Sequence, residues 1–71
     1  MARHNQLTHR QQQVILLAAQ GLTTLAIARH LGLSPCTVEH HLAQARDRLG
    51  AVNTTHAVAL YYTTKGVVSH G

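Results

Sequence analysis

Acid is scarce in this sequence. Two carboxylates, Glu39 and Asp47, stand against six Lys plus Arg, a formal charge of +4 before any of the seven histidines takes up a proton. So few carboxylates leave no paired acid–base cluster, no glycine-rich phosphate loop is present, and 71 residues are too few to wall off a pocket. Enzyme chemistry is therefore excluded and no cofactor is expected. Cysteine is nearly absent too: Cys36 stands alone and cannot form an internal disulfide. No apolar run is long enough for a signal peptide or a membrane span, so no membrane partner is expected and the cytoplasm is the expected location. Strand-like alternation is missing throughout, which leaves an all-α fold.

Apolar side chains, by contrast, make up 45% of the chain, so the sequence describes a globular domain and not a basic disordered tail. A domain this small has a marginal core, and association is one way to supplement it. The excess of positive charge points to a polyanionic partner.

Four amphipathic segments are separated by short breaks. The first runs from Thr8 to Ala19. Thr8 followed by Gln11 is a capping-box pattern, Leu7 is placed to staple across it, Val14, Leu17 and Ala18 mark the apolar face, and Gly21 ends it. The second is barely two turns long. Thr23 or Thr24 can cap it, Leu25, Ala28 and Leu31 form a stripe with Ile27 beside them, and Gly32 stops it. Ser34 caps the third, with Pro35 at the first helical position, where proline removes no helical hydrogen bond; this helix reaches about Leu49. A fourth spans Thr55 to Thr64 before Gly66. The domain is expected over residues 7–68, with a flexible N-terminal tail at 1–6 and a second tail at 69–71.

The second and third segments carry the informative spacing. Ala28, Gly32 and Val38 fall four and six residues apart. A small Ala lets two helices cross closely, Gly takes the left-handed turn, and Val plugs the corner, which is the helix-turn-helix pattern. A helix pair of this kind presents its second member to a major groove.

On those residues, and on most of the remaining chain, the stretch "LTHRQQQVILLAAQGLTTLAIARHLGLSPCTVEHHLAQARDRLGAVNTTHAV" resembles the LuxR-type (GerE-type) helix-turn-helix domain of bacterial transcription regulators. The matching positions are Leu7, Thr8, Arg10, Val14, Leu17, Gly21, Ile27, Ala28, Leu31, Ser34, Thr37, Val38, His41, Leu49, Gly50, Asn53 and Ala57. The resemblance implies four helices, the third reading the major groove and the fourth pairing two subunits. The domain is usually fused to a receiver or ligand-sensing domain in that family, stand-alone versions also exist, and a stand-alone regulator of transcription is the expectation here. Departures from the pattern lie at Gln11, Gln13 and Ala26, where acids are common, at Glu39 and Ala43, where lysines are common, and at Thr54, where arginine is common.

At 100° per residue, Val38, Leu42, Ala45 and Leu49 form the buried stripe of the third helix. Cys36, His40, Ala43 and Asp47 oppose it, Glu39 and Gln44 lie on the flanks, and His41 falls between the faces. The candidate DNA-contacting residues are accordingly Thr37, Glu39, His40, Ala43, Gln44 and Arg46, with Arg29 and Arg10 for phosphates. Thr37 can equally serve the helix cap, and His41 is expected to pack, with the phosphate contact that the resemblance also implies as its alternative. A carboxylate at Glu39 can accept from the cytosine N4 amino group, and Ala43 leaves room for a thymine methyl. On the fourth helix, Ala57, Leu60, Tyr61 and Thr64 are expected to face the core, and Thr55, Val58, Ala59 and Tyr62 a symmetry mate.

Three alternatives remain. Cys36 and His40 lie one turn apart, but two ligands do not make a metal site and none is expected. The stretch "LAQARDRL" resembles the end of the recognition helix of sigma-factor region four, against which the fourth helix argues. A protein-interaction module, its acidic exposed face docking on RNA polymerase or another regulator, belongs to a different class; salt-sensitive retention of duplex DNA separates it from a DNA binder.

Overall fold

The computed structural model describes residues 7–64, which form four helices in the order α1 (His9–Ala19), α2 (Thr24–Leu31), α3 (Pro35–Leu49) and α4 (Thr54–Thr64). No strand occurs among the described residues. Parts of the expected domain (65–68) and both expected tails (1–6 and 69–71) lie outside them, as does Gly66.

Each helix starts on a side chain that satisfies amides the helix itself cannot. Thr8 Oγ1 accepts from the Gln11 N–H while Gln11 Oε1 accepts from the Thr8 N–H, each at 3.1 Å, completing the capping box. Of the two threonines open to cap α2, Thr23 does so, accepting from Ala26 at 3.1 Å. Ser34 accepts from Thr37 at 3.1 Å ahead of Pro35. Asn53 Oδ1 accepts from His56 at 2.8 Å, so α4 begins at Thr54, one residue before its expected start. At the other end of α2, Gly32 sits at φ +71°, ψ +34°, and its N–H and that of Leu33 both return to the Ala28 carbonyl. A residue with a Cβ is strained there, so the α2–α3 turn depends on glycine.

The core is one cluster in which α3 is central, packing against α1, α2 and α4. Val14 and Ile15 of α1, Ile27 and Ala28 of α2, the four-residue stripe Val38, Leu42, Ala45 and Leu49 of α3, and Ala57 and Tyr61 of α4 are all buried. The Ala28–Gly32–Val38 corner is formed as its spacing requires, with Ala28 and Val38 both sealed from solvent. Burying each Val, Ile or Leu side chain of this cluster contributes about 1.5–3 kcal/mol before the entropy of ordering it is counted.

Three expectations need correction. Leu25 is 51% exposed and does not join the core stripe of α2. The buried direction of that helix is set by Ile27 and Ala28 with half-buried Leu31, and Leu25 points more than about 100° away from their mean. Leu7 is buried, but the residue facing it across the cap is Gln12, whose Nε2 donates to the Leu7 carbonyl at 3.3 Å, so a polar link stands where an apolar staple was expected. Val58, assigned to the outer side of α4, is half-buried and packs against the core cluster.

Candidate nucleic-acid interface

The short α2–α3 turn leaves one side of α3 uncovered. Cys36, Glu39, His40, Ala43, Gln44, Asp47 and Arg48 are exposed, and Thr37, His41 and Arg46 are half-buried at the margins. The last turn of α3 holds Arg46 and Arg48, which favour an anion-rich partner.

The two flanks of this surface differ. On one, Glu39, Ala43 and Arg46 line an open polar groove together with Thr24 from the start of α2 and Thr54 from the start of α4. Arg46 Nη1 donates to Thr54 Oγ1 at 3.3 Å. A guanidinium is thereby brought from α3 to the start of α4, at the position where the sequence pattern would otherwise place an arginine. On the other flank Gln44 approaches α1, its Oε1 accepting from Gln11 Nε2 at 3.2 Å.

Thr37 combines both roles open to it. Its amide donates to Ser34 Oγ, and its hydroxyl oxygen accepts from the Ser34 hydroxyl at 2.9 Å, which leaves its own O–H to donate outward. Arg29 is exposed in the last turn of α2 and Arg10 half-buried in the first turn of α1, so the candidate phosphate contacts come from three helices. His40 and His41 have ring centroids 6.2 Å apart, with His41 the more enclosed of the two. At the entrance to α4, His56 Nδ1 accepts from the Val52 N–H at 3.1 Å, which rigidifies the segment that delivers Thr54.

Three of these contacts were not anticipated: Gln11 to Gln44, Arg46 to Thr54, and His56 to Val52. Only Gln11 carried a sequence signal, its capping-box position, and that signal says nothing of a second partner on α3. Cys36 is exposed, and no three His, Cys, Asp or Glu side chains cluster as a metal site among the described residues. Within the same residues no helix is long and apolar enough to cross a membrane.

On α4, Ala57 and Tyr61 face the core as expected and Leu60 is half-buried. Thr55, Ala59 and Tyr62 are exposed, Tyr62 by 48%. Tyr62 stands edge-on to Tyr61 with ring centroids 5.7 Å apart.

Residues 5–61 match the model of the family described as bacterial regulatory proteins, luxR family (GerE). The transcriptional activator protein BjaR1 of Bradyrhizobium diazoefficiens is 50% identical over 54 residues, 76% of this chain and 22% of that protein. The probable transcriptional regulatory protein SgaR of Hyphomicrobium methylovorum is 42% identical over 55 residues, 78% and 26% of the two chains. For the transcriptional regulatory protein UhpA of Escherichia coli the identity is 45% over 51 residues, 72% and 26%. The chain thus spans about a quarter of the length of these relatives. Four helices, a glycine-hinged corner and a family match over residues 5–61 make this chain a member of the LuxR family of bacterial regulatory proteins, carrying the family's helix-turn-helix DNA-binding domain.

Proposed function

We propose that the domain regulates transcription by docking on duplex DNA as a homodimer, with α3 in the major groove. The observation that carries this reading is the uncovered side of α3: side chains able to read base edges lie along it, and arginines at its margins are able to hold phosphates. Arg10, Arg29, Arg46 and Arg48 fix the register, and Glu39, His40 and Ala43 meet the bases, Glu39 accepting from a cytosine amino group. Asp47, two turns beyond Glu39, lies where the helix leaves the groove.

A second copy pairs through Thr55, Ala59 and Tyr62, exposed on one side of α4, with Val58 at the margin. Two-fold pairing of this kind matches two half-sites on DNA. Single exposed apolar residues are ordinary on monomers, so the pairing is tested separately.

Mobility shifts on random and selected duplexes test the docking. Affinity is expected to fall with salt by about 0.9 log unit per log salt for each phosphate neutralised. Retention that is flat across the salt range, or none at all, overturns the reading in favour of a module docking on RNA polymerase or another regulator. For the dimer, Ala59→Glu puts a charge on the exposed side while sparing the core that Val58 touches. Loss of cooperative binding to a palindromic site is expected, and an unchanged binding curve and sedimentation profile refute the α4 interface.

A further inference from the structure

Gln11 is only 3% exposed, and both ends of its amide are committed. Its Oε1 accepts from the Thr8 backbone N–H at 3.1 Å and its Nε2 donates to Gln44 Oε1 at 3.2 Å. The order of these two bonds is not interchangeable. The Thr8 N–H is a donor and nothing else, so the end of Gln11 that meets it must be the oxygen. Turning the Gln11 amide over would set two donors against each other in a buried place, which costs the desolvation of an unpaired polar group. With Nε2 forced toward α3, Gln44 must answer with its oxygen.

Gln44 is exposed and lies one turn beyond His40, about 40° around the helix from it. With its oxygen drawn toward α1, what it offers the outer surface is its NH2 group. Resting on the DNA-docking reading above, we propose that Gln11 is a positioning residue that fixes Gln44 as a hydrogen-bond donor toward DNA. The partner of Gln44 is then an acceptor: a base-edge oxygen or nitrogen such as guanine O6 or N7, or a phosphate oxygen. The two-point contact with adenine, which needs a glutamine's oxygen and nitrogen together, is disfavoured because the oxygen is held against α1. The polarity of an exposed recognition-helix side chain is thus set by a helix cap on another element.

Gln11→Glu reverses that polarity. A carboxylate at this position still accepts from Thr8 and suits a helix start, but it can only accept from Gln44, whose NH2 then turns inward and whose oxygen turns out. The added charge weakens DNA binding by itself, so the informative quantity is the double-mutant cycle of Gln11→Glu with Gln44→Ala, measured by mobility shift on duplex selected from a random pool. Coupling on the order of tenfold is expected, as for a good base-edge contact. A motif altered at one base pair per half-site identifies a base as the partner. An unaltered motif with uniformly lower affinity identifies a phosphate.

Additive effects of the two substitutions overturn the proposal. Gln11→Met removes both polar ends and is expected to loosen the preference without reversing it; thermal melting of every variant establishes that it is folded. In the free wild-type domain, nitrogen-15 NMR is expected to show slowly exchanging Gln11 side-chain amide protons with a cross-peak to Gln44. Absence of that signature removes the lock itself. Its presence in a domain that retains no duplex shows instead that the DNA-docking reading, and with it the role of Gln44, has failed while the lock stands.

Discussion

Along α3, Val38, Leu42, Ala45 and Leu49 are sealed or nearly sealed from solvent, while Cys36, His40, Ala43 and Asp47, half a turn away on the same backbone, are exposed. The inner side is constrained from three directions, because α1, α2 and α4 all press on it and a change of volume there is felt at once. The outer side is open, held at its flanks by the Gln11–Gln44 and Arg46–Thr54 bonds. A helix divided in this way can change what it presents without disturbing what holds it up, and in the proposed docking Glu39 and Ala43 occupy positions with that freedom.

The largest effect is expected from breaking the inner side. Leu42→Ala opens a cavity in the stripe and should cost about 2–5 kcal/mol of stability, read as a lower midpoint in denaturant at an unchanged slope. If the loss is no greater than for an exposed residue, the division into two sides is wrong. On the outer side the pattern is expected to invert. Glu39→Ala should move stability by no more than about 0.5 kcal/mol. It should also relax preference at one base pair per half-site by about 1–3 kcal/mol, leaving non-specific binding intact or tighter. A selected sequence motif that survives the substitution shows that the carboxylate reads nothing. The smallest effect belongs to the junction between the sides. Ser34→Ala removes the acceptor for the Thr37 amide and the donor to its hydroxyl, and about 1 kcal/mol of stability should be lost with a modest, sequence-independent fall in affinity. A fall confined to particular sequences would instead place Thr37 among the base contacts.

What could be foreseen from the sequence was what depends on near neighbours. Thr8, Ser34 and Thr23, the last as one of two candidates, cap helices through amides three positions on, Gly32 supplies a backbone conformation, and the α3 stripe repeats at four positions, so averaging makes its direction plain. Leu25 misled because α2 has eight residues, too few for a stripe to declare its direction against the helices it packs on. The groove shared by Thr24, Arg46 and Thr54 and the Gln11–Gln44 bond depend on how helices are set against one another, and no local spacing encodes that.

The distance along the chain between α1 and its partners has a consequence for how the domain assembles. Val14 and Ile15 are covered largely by α3 and α4, and the Tyr61 hydroxyl reaches Gln12 Oε1 at 3.4 Å, across 49 positions of sequence. The α2–α3 corner closes over a few residues and can form early, whereas the pocket around α1 cannot close until the chain through Tyr61 has returned to it. Until then the buried side of α1 is only partly covered. The last helix to arrive therefore completes the core and, in the same step, brings the surface proposed for the second subunit into being.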